Sequence, residues 1–286
     1  MFLQLIRYRL STMVAASALA GYVLYPAPLL AARAALLVTG VWLLAAGCSA
    51  LNQVQERKTD ALMERTRRRP VACGRLSPLH GTLIASGLLV AGVALLALTG
   101  KAAVVGLGLF AIFWYNGLYT GLKRISATAP LPGALCGAVP PLMGWAAAGG
   151  ELSDYRIVLL AAVLVLWQLP HFWLLAIKYR DDFKKAGFPP LFPALSDAGI
   201  RRIVLVWIFA TAAVTLLLGV FGILLGVEAK ALCLTTVCWL IASTGWAMWK
   251  GEDAFFSGKI FIRLNLFMGV VVGSIILDRF LAALPL

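Results

Sequence analysis

ALLVTGVWLLAAGCSALNQVQERKTDALMERTRRRP, residues 35–70, joins a long run of apolar and small residues directly to a highly charged segment. The first half is apolar and long enough for a helix that crosses a lipid bilayer. The second half repeats polar side chains at four-residue spacing, which places them on one face of a helix: Asn52, Glu56, Asp60 and Glu64. Carboxylates on one face repel each other unless a cation lies among them. Such hard oxygen ligands suit Mg²⁺, which usually binds one or two carboxylates together with substrate phosphates.

Four arginines follow these acids within a few residues: Arg65, Arg67, Arg68 and Arg69. Guanidinium groups match the geometry of phosphate oxygens. A solvated, salt-bridged helix end just outside the membrane is the alternative interpretation, because charge runs usually form solvated faces. A second polar segment, described below, favours the metal and phosphate interpretation.

The composition identifies the class of protein. Of 286 residues, 62% are hydrophobic and 13% are charged, and the mean hydropathy is +0.91. A soluble domain has about 25% charged residues. Nine apolar segments are predicted to span the membrane, over residues 12–32, 35–52, 81–100, 102–122, 131–149, 156–177, 203–225, 229–249 and 261–282. We therefore expect one all-α integral membrane domain over residues 1–286, with motif loops at about 52–80 and 178–202.

The net charge of +13 is distributed unevenly over the predicted topology. If the N-terminus is cytoplasmic, 20 of the 25 Lys and Arg residues lie on the cytoplasmic side and 5 lie on the opposite side. This is the positive-inside pattern, so the charge indicates orientation and not nucleic-acid binding. Without a transit peptide before the first span, the sequence predicts a multi-pass protein of a bacterial inner membrane, with a periplasmic C-terminus.

A second polar segment begins inside an apolar span and reads WQLPHFWLLAIKYRDDFKKAGFPPLFP, residues 167–193. An ionisable side chain at that depth, here His171, is a candidate functional residue, although a hydrogen-bonded packing role is the common alternative. His171, Lys178 and Asp182 are seven and four residues apart, so they are predicted to share one helical face, with Asp181 at its flank. Basic residues surround these acids, as in the first segment.

Two further stretches contain aromatic, charged or proline residues that an apolar membrane-spanning helix does not need. Tyr119 and Lys123 are four residues apart on one helical face, and Arg124 follows; an interfacial aromatic belt with a topology signal is the alternative. Pro140 and Pro141 fall inside the fifth predicted span, among small residues that permit close helix packing. A helix break inside a membrane is tolerated where other groups satisfy the freed carbonyls, often beside a cavity.

The two acid-and-base segments are predicted on the same side, at the ends of the second and sixth spans. The simplest arrangement is one site between them, in which Mg²⁺ bridges the acids and a diphosphate while Lys and Arg stabilise its oxygens. Such a site would ionise an allylic diphosphate, because the leaving group needs its charge neutralised as its bond breaks. The membrane location implies a lipid-soluble prenyl chain. A transporter or channel is the alternative of another class, but the sequence has no convincing internal repeat.

These residues resemble a known family. The pattern Asn52-x-x-x-Glu56-x-x-x-Asp60, the nine spans and the second acidic motif after the sixth span resemble the UbiA superfamily of intramembrane prenyltransferases. Further motifs are similar to its haem-modifying branch in order and spacing: Met63-x-Arg65-Thr66-x-x-Arg69-Pro70, Lys123-Arg124, Gly137-Ala138-x-Pro140-Pro141-x-x-Gly144-Trp145, Pro170-His171-Phe172-Trp173 and Lys178-Tyr179-x-Asp181-Asp182.

The resemblance implies a helical bundle around a central cavity, and transfer of a farnesyl group from farnesyl diphosphate to a vinyl group of haem b, with addition of water, to give haem O. It implies a Mg²⁺ cofactor held by Asn52, Glu56, Asp60, Asp181 and Asp182. It implies substrate-binding roles for Asn52, Arg65, Arg69, Tyr119, Arg124, His171 and Lys178. The catalytic candidates are Asp60, Asp182, His171 and Lys123.

Two positions depart from the superfamily pattern. Glu56 stands where Asp is usual; it is longer by one methylene and is still a hard oxygen ligand, so we expect metal binding with an altered reach. His171 stands roughly where many members have Asp, which favours the haem-modifying branch over prenylation of an aromatic acid or quinone precursor. Haem ligand, acid–base group and packing residue remain open as roles for His171. Docking of haem A synthase or an oxidase assembly factor also remains open.

Overall fold

The computed structural model describes residues 1–190, 195–251 and 258–282. In these residues the ordered elements are all helical: α1 Phe2–Leu5, α2 Tyr8–Leu24, α3 Ala31–Gln55, α4 Arg57–Leu62, α5 Pro78–Ala97, α6 Ala102–Ile112, α7 Thr120–Leu122, α8 Pro130–Ala148, α9 Tyr155–Lys178, α10 Arg180–Lys185, α11 Asp197–Val220, α12 Val227–Trp249 and α13 Lys259–Ala282. A π-helical segment, Phe113–Tyr119, joins α6 to α7. Part of the second predicted motif loop, residues 191–194, lies outside the described residues.

Eight helices of the described chain are long and apolar enough to cross a membrane. They overlap eight of the nine predicted spans, and α6, the π-helical segment and α7 together form one of them, Ala102–Leu122. The remaining prediction, over residues 12–32, corresponds to α2, which has only 17 residues. It ends at Leu24 because Pro26 and Pro28 follow closely, and the residue before a proline is pushed into an extended conformation.

The long helices form a closed bundle, in which each contacts the next along the chain and α13 returns to α2. Helix α2 also crosses α8 closely. At this crossing Gly144 of α8 lies against the Ala18 carbonyl, and Gly21 of α2 lies against the Pro141 carbonyl, with no room for a Cβ atom on either glycine. Small residues allow such close approach in lipid, which is the packing role predicted for the small residues around the proline pair.

Helix α8 continues through Pro140 and Pro141, and both prolines are buried. A proline removes one backbone N–H from the helix ladder, so the carbonyl four residues earlier loses its helical partner. For Pro141 that carbonyl belongs to Gly137, where the side-chain amide of Gln168 from α9 packs directly. The proline pair therefore does not end the helix, and the turn that contains Gly137 lies against a polar side chain of the neighbouring helix.

Both polar motifs lie where a long helix gives way to a short one. Glu56, with φ −97° and ψ 5°, separates α3 from α4. Tyr179, with φ −114° and ψ 31°, separates α9 from α10. The first motif is therefore divided between α3, its end and α4, whereas both acids of the second motif, Asp181 and Asp182, lie on the short helix α10.

Candidate active site

The first motif lies at the junction of α3 and α4, and its first three members are buried. Asn52, Glu56 and Asp60 are 2%, 5% and 1% exposed. The Glu56 N–H donates to the Asn52 carbonyl (2.9 Å) and the Asp60 N–H donates to the Glu56 carbonyl (2.8 Å), so the three stay on successive turns. They share a face, as the spacing predicts. The prediction is wrong for Glu64, which lies beyond the end of α4, is 64% exposed and pairs with Arg67 at 2.7 Å.

Each buried carboxylate of the first motif has a basic partner. Arg69 Nη1 donates to both oxygens of Asp60, at 2.9 and 2.7 Å. Lys123 Nζ lies 2.7 Å from Glu56 Oε1. Burial raises the pKa of the Asp60 carboxyl, against the opposing effect of Arg69. Burial likewise lowers the pKa of the Lys123 ammonium, against the effect of Glu56. The ion pairs thus offset part of the cost of removing these groups from water.

Asp182 connects the second motif to the first. Its Oδ1 and Oδ2 accept hydrogen bonds from the backbone N–H groups of Glu64 and Arg65, both at 3.1 Å. Asp182 is buried, whereas Asp181 beside it is exposed. The structure therefore brings the two acid-and-base segments together. The shared helical face predicted for His171, Lys178 and Asp182 does not form, because α9 ends at Lys178 and Asp182 lies on α10.

A cavity of about 540 Å³ lies where the two segments meet. Charged and aromatic side chains line it: Glu64, Arg65, Lys178, Tyr179, Asp181, Asp182 and Lys185. The Arg65 guanidinium lies 5.1 Å from the centroid of the Tyr179 ring, and Lys178 Nζ lies 5.5 Å from it. Such cation–π contacts hold cations against an aromatic ring. Tyr179 therefore positions two of the predicted phosphate-binding bases, Arg65 and Lys178. In the sequence, the only signal for this role was that Tyr179 lies between two basic residues.

An aromatic wall extends from this polar end into the bundle. Lys123 Nζ lies 5.4 Å from the centroid of the Tyr119 ring. The Tyr119 ring in turn stacks on Phe172 of α9, with centroids 6.3 Å apart. Gly133 of α8 lies against the Tyr119 ring, where a Cβ atom would not fit. Tyr119 is thus fixed between α8, α9 and the Lys123–Glu56 pair.

A hydrogen-bond network ties the π-helical segment to the first motif. Asn52 Nδ2 donates to Thr120 Oγ1 (3.2 Å). Gln55 Nε2 donates to the Asn116 carbonyl (3.0 Å), and Asn116 Nδ2 donates to Gln55 Oε1 (3.1 Å). Arg124 Nη2 donates to the Gln55 carbonyl (2.8 Å), a carbonyl at the C-terminal end of α3 that has no partner within the helix.

The wider π-helical turn frees carbonyls for such contacts, and π-bulges are frequent at functional sites. Sequence analysis did not single out Gln55, Asn116 or Thr120; for Asn116 and Thr120, polarity inside an apolar span was the available signal.

His171 lies deeper in the bundle, about 10 Å along α9 from Lys178 at the usual rise per residue. Its ring centroid lies 4.9 Å from that of Trp167, 5.6 Å from Phe172 and 4.8 Å from Phe261. Its Nδ1 is buried and has no hydrogen-bond partner among the described residues. The surroundings of His171 are therefore mainly aromatic, and it is separate from the carboxylates.

The oxygen donors of the two motifs suit a hard divalent cation, but they do not surround one point. In residues 1–190, 195–251 and 258–282, no three His, Cys, Asp or Glu side chains lie close enough together to hold a metal ion. Glu56 and Asp60 face Lys123 and Arg69 instead. The donor set itself, buried carboxylates with the Asn52 amide, fits the ligand preference of Mg²⁺. A cation bound by these acids would replace the two bases as their counter-charge.

Known proteins share both sequence and fold with this chain. The sequence model of the UbiA prenyltransferase family matches residues 10–271. A protein named protoheme IX farnesyltransferase from Geobacter sulfurreducens is 45% identical over 224 residues, which cover 78% of this chain and 82% of that protein. Another of that name, from Anaeromyxobacter sp., is 36% identical over 281 residues, covering 95% of this chain and 93% of that protein.

Solved structures resemble the whole bundle. A UbiA homologue from Aeropyrum pernix K1 has a TM-score of 0.71 at 20% identity, covering 92% of this chain and 98% of that one. A UbiA homologue from Archaeoglobus fulgidus, bound to GPP and Mg²⁺, has a TM-score of 0.70 at 15% identity, covering 99% of each chain. The fold is therefore that of the UbiA homologues. Together with the match over residues 10–271, this shows that the chain belongs to the UbiA prenyltransferase family.

Proposed function

We propose that this protein transfers the farnesyl group of farnesyl diphosphate to a vinyl group of haem b, with addition of water, and so makes haem O for terminal oxidase biogenesis. The observation that carries the proposal is the bonding of Asp182 to the backbone of Glu64 and Arg65, which unites two acid-and-base segments around one cavity. The choice of acceptor is supported by the relatives named protoheme IX farnesyltransferase.

The bases around the cavity are assigned to the diphosphate. Arg65 and Lys178 line the cavity, and no carboxylate pairs with either one in the part of the chain that the structure describes. Both can therefore donate hydrogen bonds to phosphate oxygens, where charged donors give strong bonds. Arg69 and Lys123 are held by carboxylates and become available once those carboxylates bind another cation. Arg124 lies beside them, at the end of α3.

We assign Mg²⁺ to the oxygen donors of the two motifs: Asn52, Glu56, Asp60, Asp181 and Asp182. Bound there, Mg²⁺ would neutralise charge on the departing diphosphate. The solved UbiA homologue bound to GPP and Mg²⁺ supports this assignment. The chain's own contribution is to keep Asn52, Glu56 and Asp60 on successive buried turns, with the Asn52 amide oriented by its bond to Thr120.

The acceptor is assigned to the aromatic wall. Trp167, Phe172 and Phe261 surround His171, and Tyr119 continues the wall towards Lys123. Flat apolar rings of this kind can pack on a porphyrin face. We assign His171 to the haem side of the site, as a ligand or as an acid–base group, because its Nδ1 lacks a hydrogen-bond partner among the described residues.

We also propose that the protein resides in a bacterial inner membrane with a cytoplasmic N-terminus and a periplasmic C-terminus, which requires the 17-residue α2 to cross the membrane as well as the eight longer spans. The distribution of the Lys and Arg residues supports this orientation, with 20 of 25 on the motif side. The diphosphate site would then open towards the cytoplasm.

Turnover in liposomes tests the proposal. The purified protein is supplied with haem b, farnesyl diphosphate and Mg²⁺, and the haem is analysed by mass spectrometry. We expect a mass gain equal to one farnesyl group plus one hydroxyl group, with diphosphate released, and we expect this product to be lost when EDTA is added. In a second assay, hydroxybenzoate is offered as the acceptor. If hydroxybenzoate is prenylated and haem is not, the protein is a prenyltransferase but the proposed acceptor is wrong. Absence of prenyl transfer to either acceptor would overturn the function.

A further inference from the structure

The first turns of α13 pack against the last turns of α9, beside the candidate active site. Trp167 Nε1 donates to a carbonyl of α13 (3.0 Å), and the ring centroids of His171 and Phe261 lie 4.8 Å apart. Nearest the cavity, Gly258, the residue before α13, lies against Lys178, the last residue of α9. The two helices run antiparallel, because later residues of α13 meet earlier residues of α9. Helix α13 therefore reaches from the aromatic wall to the polar end of the site.

The side chain of Lys178 occupies the space that a side chain at position 258 would need. A Cβ atom on Gly258 would lie 3.1 Å from Lys178 Nζ and 3.3 Å from its Cδ and Cε. Nonbonded heavy atoms are best separated by about 3.5–4.0 Å, so no side chain fits there unless the lysine moves. Lys178 Nζ also lies 5.5 Å from the centroid of the Tyr179 ring. The ammonium group is therefore placed by two contacts, one with an aromatic ring and one with bare backbone.

The backbone at position 258 favours glycine independently of the lysine. Its φ of 82° lies in the left-handed region, which glycine adopts without steric cost. The surroundings fix this backbone, because Gly258 is buried, its carbonyl accepts the Ile262 N–H (3.3 Å) and Ile260 is fully buried. Lys178, in contrast, ends in a flexible stem. A side chain added at position 258 would thus displace the lysine and leave the start of α13 in place.

Lys178 is a base whose position depends on such contacts. It is exposed, it lines the cavity, and no carboxylate pairs with it in the part of the chain that the structure describes. A lysine ammonium on its four-carbon stem can adopt many rotamers. Ordering such a side chain only when the ligand binds lowers the affinity, and holding it in place beforehand reduces that loss.

We propose that Gly258 is a positioning residue for prenyl transfer: because it has no side chain, the Lys178 ammonium stands at the cavity, where it binds phosphate oxygens of the prenyl diphosphate. The proposal rests on the function proposed above, since it requires a diphosphate substrate, but it does not depend on haem as the acceptor. The start of α13, which none of the sequence motifs includes, thereby joins the two polar motifs as a third wall of the diphosphate site.

Binding measurements without haem test this inference separately from the overall reaction. Farnesyl diphosphate with Mg²⁺ is titrated by calorimetry into the wild type, Gly258→Ala, Gly258→Asn, Lys178→Ala and the double variant Lys178→Ala/Gly258→Ala. We expect Lys178→Ala to weaken binding about 10- to 100-fold, as loss of a charged hydrogen bond does. Gly258→Ala should weaken it about three- to tenfold, because the displaced ammonium keeps its charge and loses its geometry. The double variant should bind like Lys178→Ala alone, since two substitutions that act on one interaction are not additive.

Two comparisons separate the contact with Lys178 from backbone strain. Asparagine adopts the left-handed region more readily than alanine and has a larger side chain. We therefore expect Gly258→Asn to unfold at a higher temperature than Gly258→Ala and to bind farnesyl diphosphate at least as weakly. Gly222→Ala is a matched control, because Gly222 has a φ of 67° at the other end of the bundle and a Cβ atom there would meet no described residue beyond its chain neighbours within 4 Å. It should lose thermal stability and bind the diphosphate with wild-type affinity.

Unchanged affinity in both Gly258 variants would overturn the proposal, and so would additive losses in the double variant or an equal loss in Gly222→Ala. If Lys178→Ala binds farnesyl diphosphate like the wild type, this inference fails, while farnesylation of haem by the wild type would still support the proposed function. If the Gly258 variants behave as expected in a protein that does not farnesylate haem, this inference stands and the proposed acceptor fails.

Discussion

Asp182 Oδ2 accepts a hydrogen bond from the backbone N–H of Arg65 at 3.1 Å, across 117 residues of sequence. Its other oxygen accepts the N–H of Glu64. One carboxylate thereby fixes the segment that follows α4, and it holds the Arg65 side chain at the edge of the cavity. A residue predicted to bind metal is thus also the structural link between the two motifs.

Replacing Asp182 should disturb this link and strongly reduce prenyl transfer. An asparagine has one amide oxygen, so it can accept only one of the two backbone hydrogen bonds that the Asp182 carboxylate accepts. Each hydrogen bond to a charged group contributes about 1.5–3 kcal/mol. We expect Asp182→Asn to lower turnover about 100-fold, as misplacement of reacting groups does, and to increase hydrogen exchange at the Glu64 and Arg65 amides. Asp181→Asn is the control for exchange, because Asp181 is exposed and accepts neither bond. Unchanged exchange in Asp182→Asn would contradict the structural role.

The Asp60–Arg69 pair should respond asymmetrically to single and double substitution. Arg69→Ala leaves the buried Asp60 carboxylate without a partner, and we expect it to reduce the free energy of unfolding by about 3 kcal/mol. The double variant Asp60→Asn/Arg69→Gln removes both charges, so it should recover most of this stability and still lack prenyl transfer. Chemical unfolding in detergent and turnover measure the two effects. Activity in the double variant would exclude Asp60 as an essential ligand.

Lys123 should act mainly on binding of the prenyl donor. Its ammonium pairs with Glu56 and lies over the Tyr119 ring, at the boundary between the carboxylates and the aromatic wall. We expect Lys123→Ala to raise the KM for farnesyl diphosphate about tenfold, as loss of one charged contact does, and to leave the KM for haem unchanged. Steady-state kinetics, with each substrate varied in turn, measures the two KM values. An unchanged KM for the donor would remove Lys123 from the diphosphate site.

Cys73 provides a probe of pH and orientation next to the first motif. Arg75 Nε lies 3.1 Å from its exposed Sγ, and this hydrogen bond lowers the pKa of the thiol. Because the thiolate is the reactive form, Cys73 should be alkylated at a lower pH than an ordinary cysteine, and Arg75→Gln should shift the rate profile to higher pH. The measurement uses a variant in which the other four of the five cysteines are replaced. An unchanged profile in Arg75→Gln would contradict this effect of Arg75.

The same variant tests the proposed topology. A membrane-impermeant maleimide should label Cys73 in inverted membrane vesicles and not in intact spheroplasts, because the motif side is assigned to the cytoplasm. Cys73→Ser is the control for nonspecific labelling. The opposite pattern would reverse the orientation while leaving the fold unchanged.

Helix periodicity explains which parts of the site were predictable. The four-residue spacing of Asn52, Glu56 and Asp60 predicted a shared face, and all three are buried together. The same rule failed for Glu64 and for Asp182, because each lies beyond the end of the helix from which the spacing was counted. Periodicity is a local property and holds only while the backbone torsions remain helical.

The sequence by itself determined that the chain is a helical membrane protein, that its bases are concentrated on one predicted side, and that two polar segments interrupt its apolar pattern. Hydropathy and periodicity act over one or two helical turns, so they are readable without a fold. Only the tertiary structure decided that Asp182 bonds to Arg65, and that Arg69 and Lys123 neutralise Asp60 and Glu56. These contacts involve residues at helix ends and in the segments between helices, and they depend on how the chain folds back on itself, which helical periodicity does not encode.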